Sequence, residues 1–179
     1  MGTSRGMRVP SSTLDGVSTD KKERRAAWGR RGFLSLILVF VLLGLCGFLG
    51  MRDRTVSTTG GGYQLELRYA SIARAGEDVP WELTVTRQGG FDGPITIETT
   101  SAYFDIFESQ GITPEPSKET AGARWDRMTF DPPDGDTLVI GLDIYVQPSS
   151  QQGRSGSVRV LGADSTPVAG LDFRTRLLP

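Results

Sequence analysis

Three carboxylates gather within six residues at Asp131-Pro132-Pro133-Asp134-Gly135-Asp136, an oxygen-rich cluster of the kind calcium favours. Calcium and a plain turn both fit these residue types. The spacing fails the EF-hand template, and Pro and Asp are ordinary turn formers, which favours the turn. Asp105, Glu108 and Asp126 lie near aromatic residues and are the candidates for a glycosidase-type acid pair. Acids on loops between strands are more simply solvated. Lys118 is the one lysine beyond the apolar run, so a Ser–Lys dyad would have to use it. Its Pro-rich surroundings, from Gly111 to Lys118, are a poor place to desolvate a base. Histidine is absent, which removes the commonest general base, metal ligand and neutral-pH switch. Cys46 is the single cysteine and lies within the apolar run, so neither an intradomain disulfide nor a Cys-based zinc site forms. The sequence assigns no catalytic residue, no metal and no cofactor, and reads as a non-enzyme.

Binding chemistry has better candidates. Tyr103-Phe104-Asp105-Ile106-Phe107-Glu108 sits in the longest interval between confident strands and fits no period neatly. Tyr103, Phe104 and Phe107 suit an aromatic contact site, since interface anchors are often Tyr, Trp and Phe. The competing reading is a plug closing one end of the fold. Trp125 alternates with Arg127 and Thr129, opposite Met128 and Phe130, which makes it the better surface aromatic of the two tryptophans beyond the run. Trp81 shares a face with Leu83 and Val85 and belongs to the core.

Alternation at period two supplies the elements that would hold these residues. Tyr63, Leu65, Leu67 and Tyr69 alternate with polar neighbours, as do Val79, Trp81, Leu83 and Val85, and then Ile95 and Ile97. Residues 124–130 form another strand, and Leu138 to Val146 gives the cleanest alternation in the chain. Val158 and Val160 mark one more, and Val168 to Leu177 the last, with a bulge expected near Gly170 where the alternation slips. Seven or so short strands with turns between them argue for an antiparallel sandwich.

Before all of this lies one apolar run, Gly32 to Met51, with no charged residue. Spanning a bilayer takes ~20 apolar residues, so the run is long enough to cross once. Lys21, Lys22, Arg24, Arg25, Arg30 and Arg31 crowd its amino side, with Trp28 as an interfacial anchor; only Arg52 and Arg54 follow closely. The basic side stays cytoplasmic, so Arg24, Arg25, Arg30 and Arg31 orient the chain. The run is too long for a cleaved signal peptide and lacks a clean cleavage site, so it reads as a retained anchor. Arg30-Arg31-Gly32-Phe33-Leu34 has the form of a twin-arginine export motif, although arginines at an anchor's inner edge are the simpler reading. Cys46 and Gly50, with Gly44 and Gly47 nearby, give a small-residue spacing that permits homo-oligomers through the anchor.

Charge divides the same way. Residues 1–31 hold eight basic and three acidic side chains, net +5, and residues 63–179 hold ten and seventeen, net −7. An acidic outer half argues against nucleic acid.

Arg74-Ala75-Gly76-Glu77-Asp78-Val79 followed by Trp81-Glu82-Leu83-Thr84-Val85-Thr86-Arg87-Gln88-Gly89 resembles bacterial Ig-like or CARDB-like sandwich modules. The resemblance covers residues 63–179 loosely and implies an adhesion, scaffold or accessory module.

The expectation is an all-β protein: an Ig-like antiparallel β-sandwich ectodomain preceded by one transmembrane α-helix and a disordered tail. Residues 1–31 form the cytoplasmic basic tail, 32–51 the membrane helix, 52–62 a flexible linker, and 63–179 the extracytoplasmic sandwich. The expected function is a non-enzymatic accessory or scaffold module in the cell membrane that binds an integral membrane or envelope protein. The alternative is a cell-surface module binding a glycan or envelope polymer. An apolar patch at Tyr103–Phe107 favours the first; exposed aromatic surface at Trp125 favours the second.

Overall fold

The structure, a computed structural model, describes residues 19–45 and 50–178, with side chains from Arg25 onward. The expected disorder of residues 1–18, the side chain of Arg24, and the small residues Cys46 and Gly47 lie outside the described residues. The chain divides into two compact units, Met1–Leu49 and Gly50–Pro179.

The first unit contains one helix, α1, Thr19–Leu45. Thr19 to Arg31, assigned to the tail although Asp20 to Ala27 also suit an inward extension of the membrane helix, is helical, because Lys, Glu, Arg and Ala are good helix formers and Gly29 alone does not stop them. Within α1, the 21 residues Arg25–Leu45 are long and apolar enough to cross a membrane. Phe33, Leu38 and Val39 are each more than half exposed, on different sides of the helix. A helix that is apolar all round needs lipid or a protein core around it.

The second unit is built from strands. Nine residues expected to be linker form its first strand, β1, Arg52–Gly60, paired antiparallel along its length with β2, Tyr63–Arg74. Gly61 and Gly62 both take positive φ, 54° and 83°. Two such residues make the two-residue turn that matches strand twist in a hairpin. The triple glycine is therefore a corner, and the β-branched Thr55, Val56, Thr58 and Thr59 extend the ladder behind it.

The remaining elements are β3, Asp78–Val79; β4, Trp81–Arg87; β5, Ile95–Thr100; the one-turn α2, Ser101–Phe104; β6, Phe107–Thr113; β7, Lys118–Thr120; β8, Trp125–Phe130; β9, Thr137–Val146; β10, Ser155–Leu161; β11, Pro167–Arg174; and β12, Arg176–Leu178. They form two sheets. The larger runs β1-β2-β4-β9-β3, with β12 added to β2 and β6 to β9; the smaller runs β11-β10-β5-β8-β7. All pairs are antiparallel except β12 with β2. Pro80, which cannot donate to the ladder, separates β3 from β4. The expected bulge falls at Val168, skipped where Val160 pairs with Ala169 and Leu161 with Pro167. Thr175 carries the chain from the smaller sheet to the larger.

One buried cluster draws on both sheets. Leu65, Leu67, Leu83, Val85 and Ile140 of the larger, and Ile97, Val158 and Val160 of the smaller, are all fully buried. Trp81 is 1% exposed, as its alternation predicts.

Candidate binding groove

Period two on the smaller sheet settles which side chains leave the core. In β8, Met128 and Phe130 are buried, so Trp125, Arg127 and Thr129 point the other way. In β5, Ile95, Ile97 and Thr99 go in, and Thr96, Glu98 and Thr100 go out; in β10, Ser157, Arg159 and Leu161 oppose the buried Val158 and Val160. Register then aligns them across strands. Thr120 sits opposite Arg127, Arg127 opposite Glu98, and Glu98 opposite Arg159, a row across four strands. The next row sets Lys118, Thr129 and Thr96 side by side.

Glu98 is the centre of that row. Its side chain is only 6% exposed, and both oxygens are taken by arginines. Arg127 donates to Oε1 from Nε at 3.1 Å and Nη2 at 2.6 Å; Arg159 donates to Oε2 from Nε at 2.7 Å. Burial alone pushes the carboxyl up, but the hydrogen bonds and charges of Arg127 and Arg159 together outweigh it and hold Glu98 below the ordinary 4.5. The sign follows. A depressed carboxyl contributes stability above its unfolded value and loses it as pH falls through the folded one. Arg127 is about half exposed, so water screens part of the gain. Glu98→Gln should cost roughly 1 kcal/mol at neutral pH. That difference should close as pH falls from 5 towards 2. Urea midpoints of both proteins across this range check it; a gap that persists at the lowest pH contradicts it.

Trp125 is half-buried beside this pair. The Arg159 guanidinium carbon lies 3.8 Å from its ring centroid and that of Arg124 5.6 Å away. The turn before β8 holds it in place. Gly122 N–H donates to Asp126 Oδ1 at 3.2 Å, and a Cβ on Gly122 would fall 2.5 Å from the Trp125 carbonyl oxygen, so that close approach demands glycine. Trp125 borders two grooves. One, of about 870 Å³, is lined by Tyr63, Arg87, Thr96, Glu98, Lys118 and Arg127 among others. The second, of about 640 Å³, is lined by Arg54, Tyr69, Arg124, Asp172 and Arg174 among others.

The other expected contact residues lie elsewhere. Tyr103 is 1% and Phe107 5% exposed, and Phe104 is half-buried. Tyr103 packs against Phe173, Phe104 and Phe107 with centroids 4.6, 5.1 and 5.2 Å away. Thr175 Oγ1 donates to the Ala70 carbonyl at 2.6 Å, so the Tyr103 hydroxyl, 2.8 Å away, is the donor to Thr175. Tyr103 and Phe107 present no surface to a partner: this segment is the plug. One turn of helix followed by β6 breaks the pattern, which is why no period fits it.

The acids weighed for chemistry have local partners. Asp105 lies 4.0 Å from Arg154, Glu108 accepts from the Tyr145 hydroxyl, and Asp126 accepts from Ser101 Oγ at 2.8 Å. The loop holding Asp131, Asp134 and Asp136 carries the chain from β8 in the smaller sheet to β9 in the larger; the Asp136 carbonyl accepts from Arg87 N–H at 2.8 Å. Among the described residues, no group of three or more acidic, His or Cys side chains is placed to hold a metal. On α1, Arg25, Arg30 and Arg31 are exposed.

Glu98, Arg127 and Arg159 are the groove residues that sequence reading missed. Their outward positions follow from alternation; their meeting depends on pairings 29 and 61 residues apart along the chain. The chain matches no protein-family profile, and no curated protein matches it.

Proposed function

We propose that the chain is a single-pass, membrane-anchored binding module, non-enzymatic, which displays an Ig-like β-sandwich outside the cell and holds a glycan or envelope polymer against its smaller sheet. The amino end is cytoplasmic and residues from Arg52 onward are extracytoplasmic. The apolar stretch Arg25–Leu45 and the basic excess before it support the anchor and its direction. Two sheets sharing one core support the sandwich.

The observation that carries the ligand reading is Trp125, half-buried between two grooves on a sheet face rich in hydroxyls and guanidinium groups. An aromatic ring offers a flat apolar surface to a sugar, and fixed donors and acceptors orient its hydroxyls. A protein interface has the opposite design, with an apolar centre depleted of charge. Here the centre of the face is Glu98 with two arginines. Beyond the helix, the exposed large hydrophobics among the described residues are Met51, just before β1, Val139 on β9 and Leu178 on β12. Tyr103 and Phe107 are interior and do not supply the apolar patch that would favour the accessory-subunit reading.

The test uses the full chain in nanodiscs, sedimented with insoluble envelope polysaccharide. The wild type is expected in the pellet. Trp125→Ala should weaken retention at least tenfold while the β-rich unit stays folded, its melt lowered by only a few degrees. Equal retention of the variant, or none of the wild type, contradicts the reading.

A further inference from the structure

We infer that the polymer held at Trp125 is an acidic glycan, one carrying carboxylates or phosphates along its chain; this rests on the glycan reading above. The outer unit is acidic as a whole: residues 50–179 hold twelve basic and eighteen acidic side chains, net −6. The hollows that meet at Trp125 reverse this. Seven of the twelve cations line the two grooves and a third hollow of about 330 Å³ beside Arg159, against three of the eighteen acids, Asp92, Glu98 and Asp172. The track is therefore net +4 within a surface that is otherwise strongly negative.

The cations fall into two groups. Arg127 and Arg159 are committed to Glu98, and Arg87 to Asp92 at 2.5 Å. Arg54, Lys118, Arg124 and Arg174 have no carboxylate partner among the described residues. All four are exposed. Lys118 lines one groove, and Arg54, Arg124 and Arg174 line the other, with Trp125 bordering both. Gathering like charges without counter-ions costs stability, and an anionic ligand relieves that cost. Guanidinium forks match carboxylate and phosphate oxygens in pairs. Cations on both sides of one aromatic fit a chain whose ring stacks at the centre while charged groups reach either way. A second feature gives rigidity. Glu98 locks Arg159 over one face of the Trp125 ring, so the indole is held in place before a ligand arrives and the sugar stacks on the opposite face.

The test measures affinities of the full chain in nanodiscs of zwitterionic lipid. The probes are polygalacturonate, phosphomannan, neutral dextran and polyglutamate. At least one acidic glycan should bind tenfold or more tighter than dextran, and the arm that wins identifies the oxyanion. Its affinity should fall steeply with added salt. Lys118→Gln and Arg124→Gln, both at exposed side chains, should each weaken it several-fold with the thermal melt unchanged. Dextran bound as well as both acidic glycans, or an affinity indifferent to salt, overturns the acidic assignment and leaves the glycan reading standing. No glycan bound at all overturns both. Polyglutamate bound tighter than either acidic glycan also overturns both, in favour of an acidic protein segment.

Discussion

Tyr103→Ala should lower the unfolding free energy of the β-rich unit by about 4 kcal/mol, the size of effect seen when a large buried aromatic is deleted from a core. Against a total of about 5–15 kcal/mol for a domain, that is enough to threaten folding at growth temperature. The loss has two sources. The ring is enclosed by Phe104, Phe107 and Phe173, and those contacts vanish. The hydroxyl ends a buried chain of hydrogen bonds from Tyr103 through Thr175 to the Ala70 carbonyl. Gly156 shows how tight the site is, since a Cβ there would lie 2.9 Å from Tyr103 Cβ. Tyr103→Phe separates the two terms. It keeps the ring, and Thr175 still donates to Ala70, so it should cost only about 1 kcal/mol. Denaturant titration of the three proteins checks the series. A Tyr103→Ala protein as stable as wild type contradicts the burial, and would return Tyr103 to the surface as a partner contact.

How much of this was legible in the sequence depended on whether a residue's fate was decided locally. Leu138 to Val146 alternates cleanly because β9 is paired on both edges, to β3 and β4 on one and to β6 on the other, with one side in the core. Trp81 and Trp125 went to opposite fates for the same readable reason: the company each keeps at period two. Local signals failed where two physical readings share one composition. Gly60-Gly61-Gly62 suits a loose tether as well as a hairpin corner, and only the partner strand, Tyr63–Arg74, decides. Phe107 to Thr113 lacks a pattern because β6 is an edge strand, exposed along most of its length and irregular between Ser109 and Gly111. The groove was the least visible part. Trp125 is legible from its own alternation, but nothing in Ile95–Thr100 marks Glu98 as buried. Its burial follows from two arginines brought in by neighbouring strands, and no window of sequence contains all three.

Leu38→Lys combined with Leu42→Lys should empty the membrane fraction. Each charge near the centre of a spanning helix costs about 2.5–3.5 kcal/mol of insertion free energy, so the pair removes about 6 kcal/mol. Both residues lie within the stretch Arg25–Leu45, well away from its basic end. The protein recovered in the membrane pellet should fall at least tenfold, while the β-rich unit, whose strands begin at Arg52, keeps its melt. Replacing the same two positions with Ile should leave fractionation unchanged. The most direct single measurement uses Cys46→Ser with Gln151→Cys, which puts the sole thiol on the exposed loop between β9 and β10. Intact cells are treated with a membrane-impermeant maleimide and then fractionated. The account predicts full labelling of protein found in the membrane pellet; labelling that appears only after lysis, or labelled protein free in the supernatant, contradicts it.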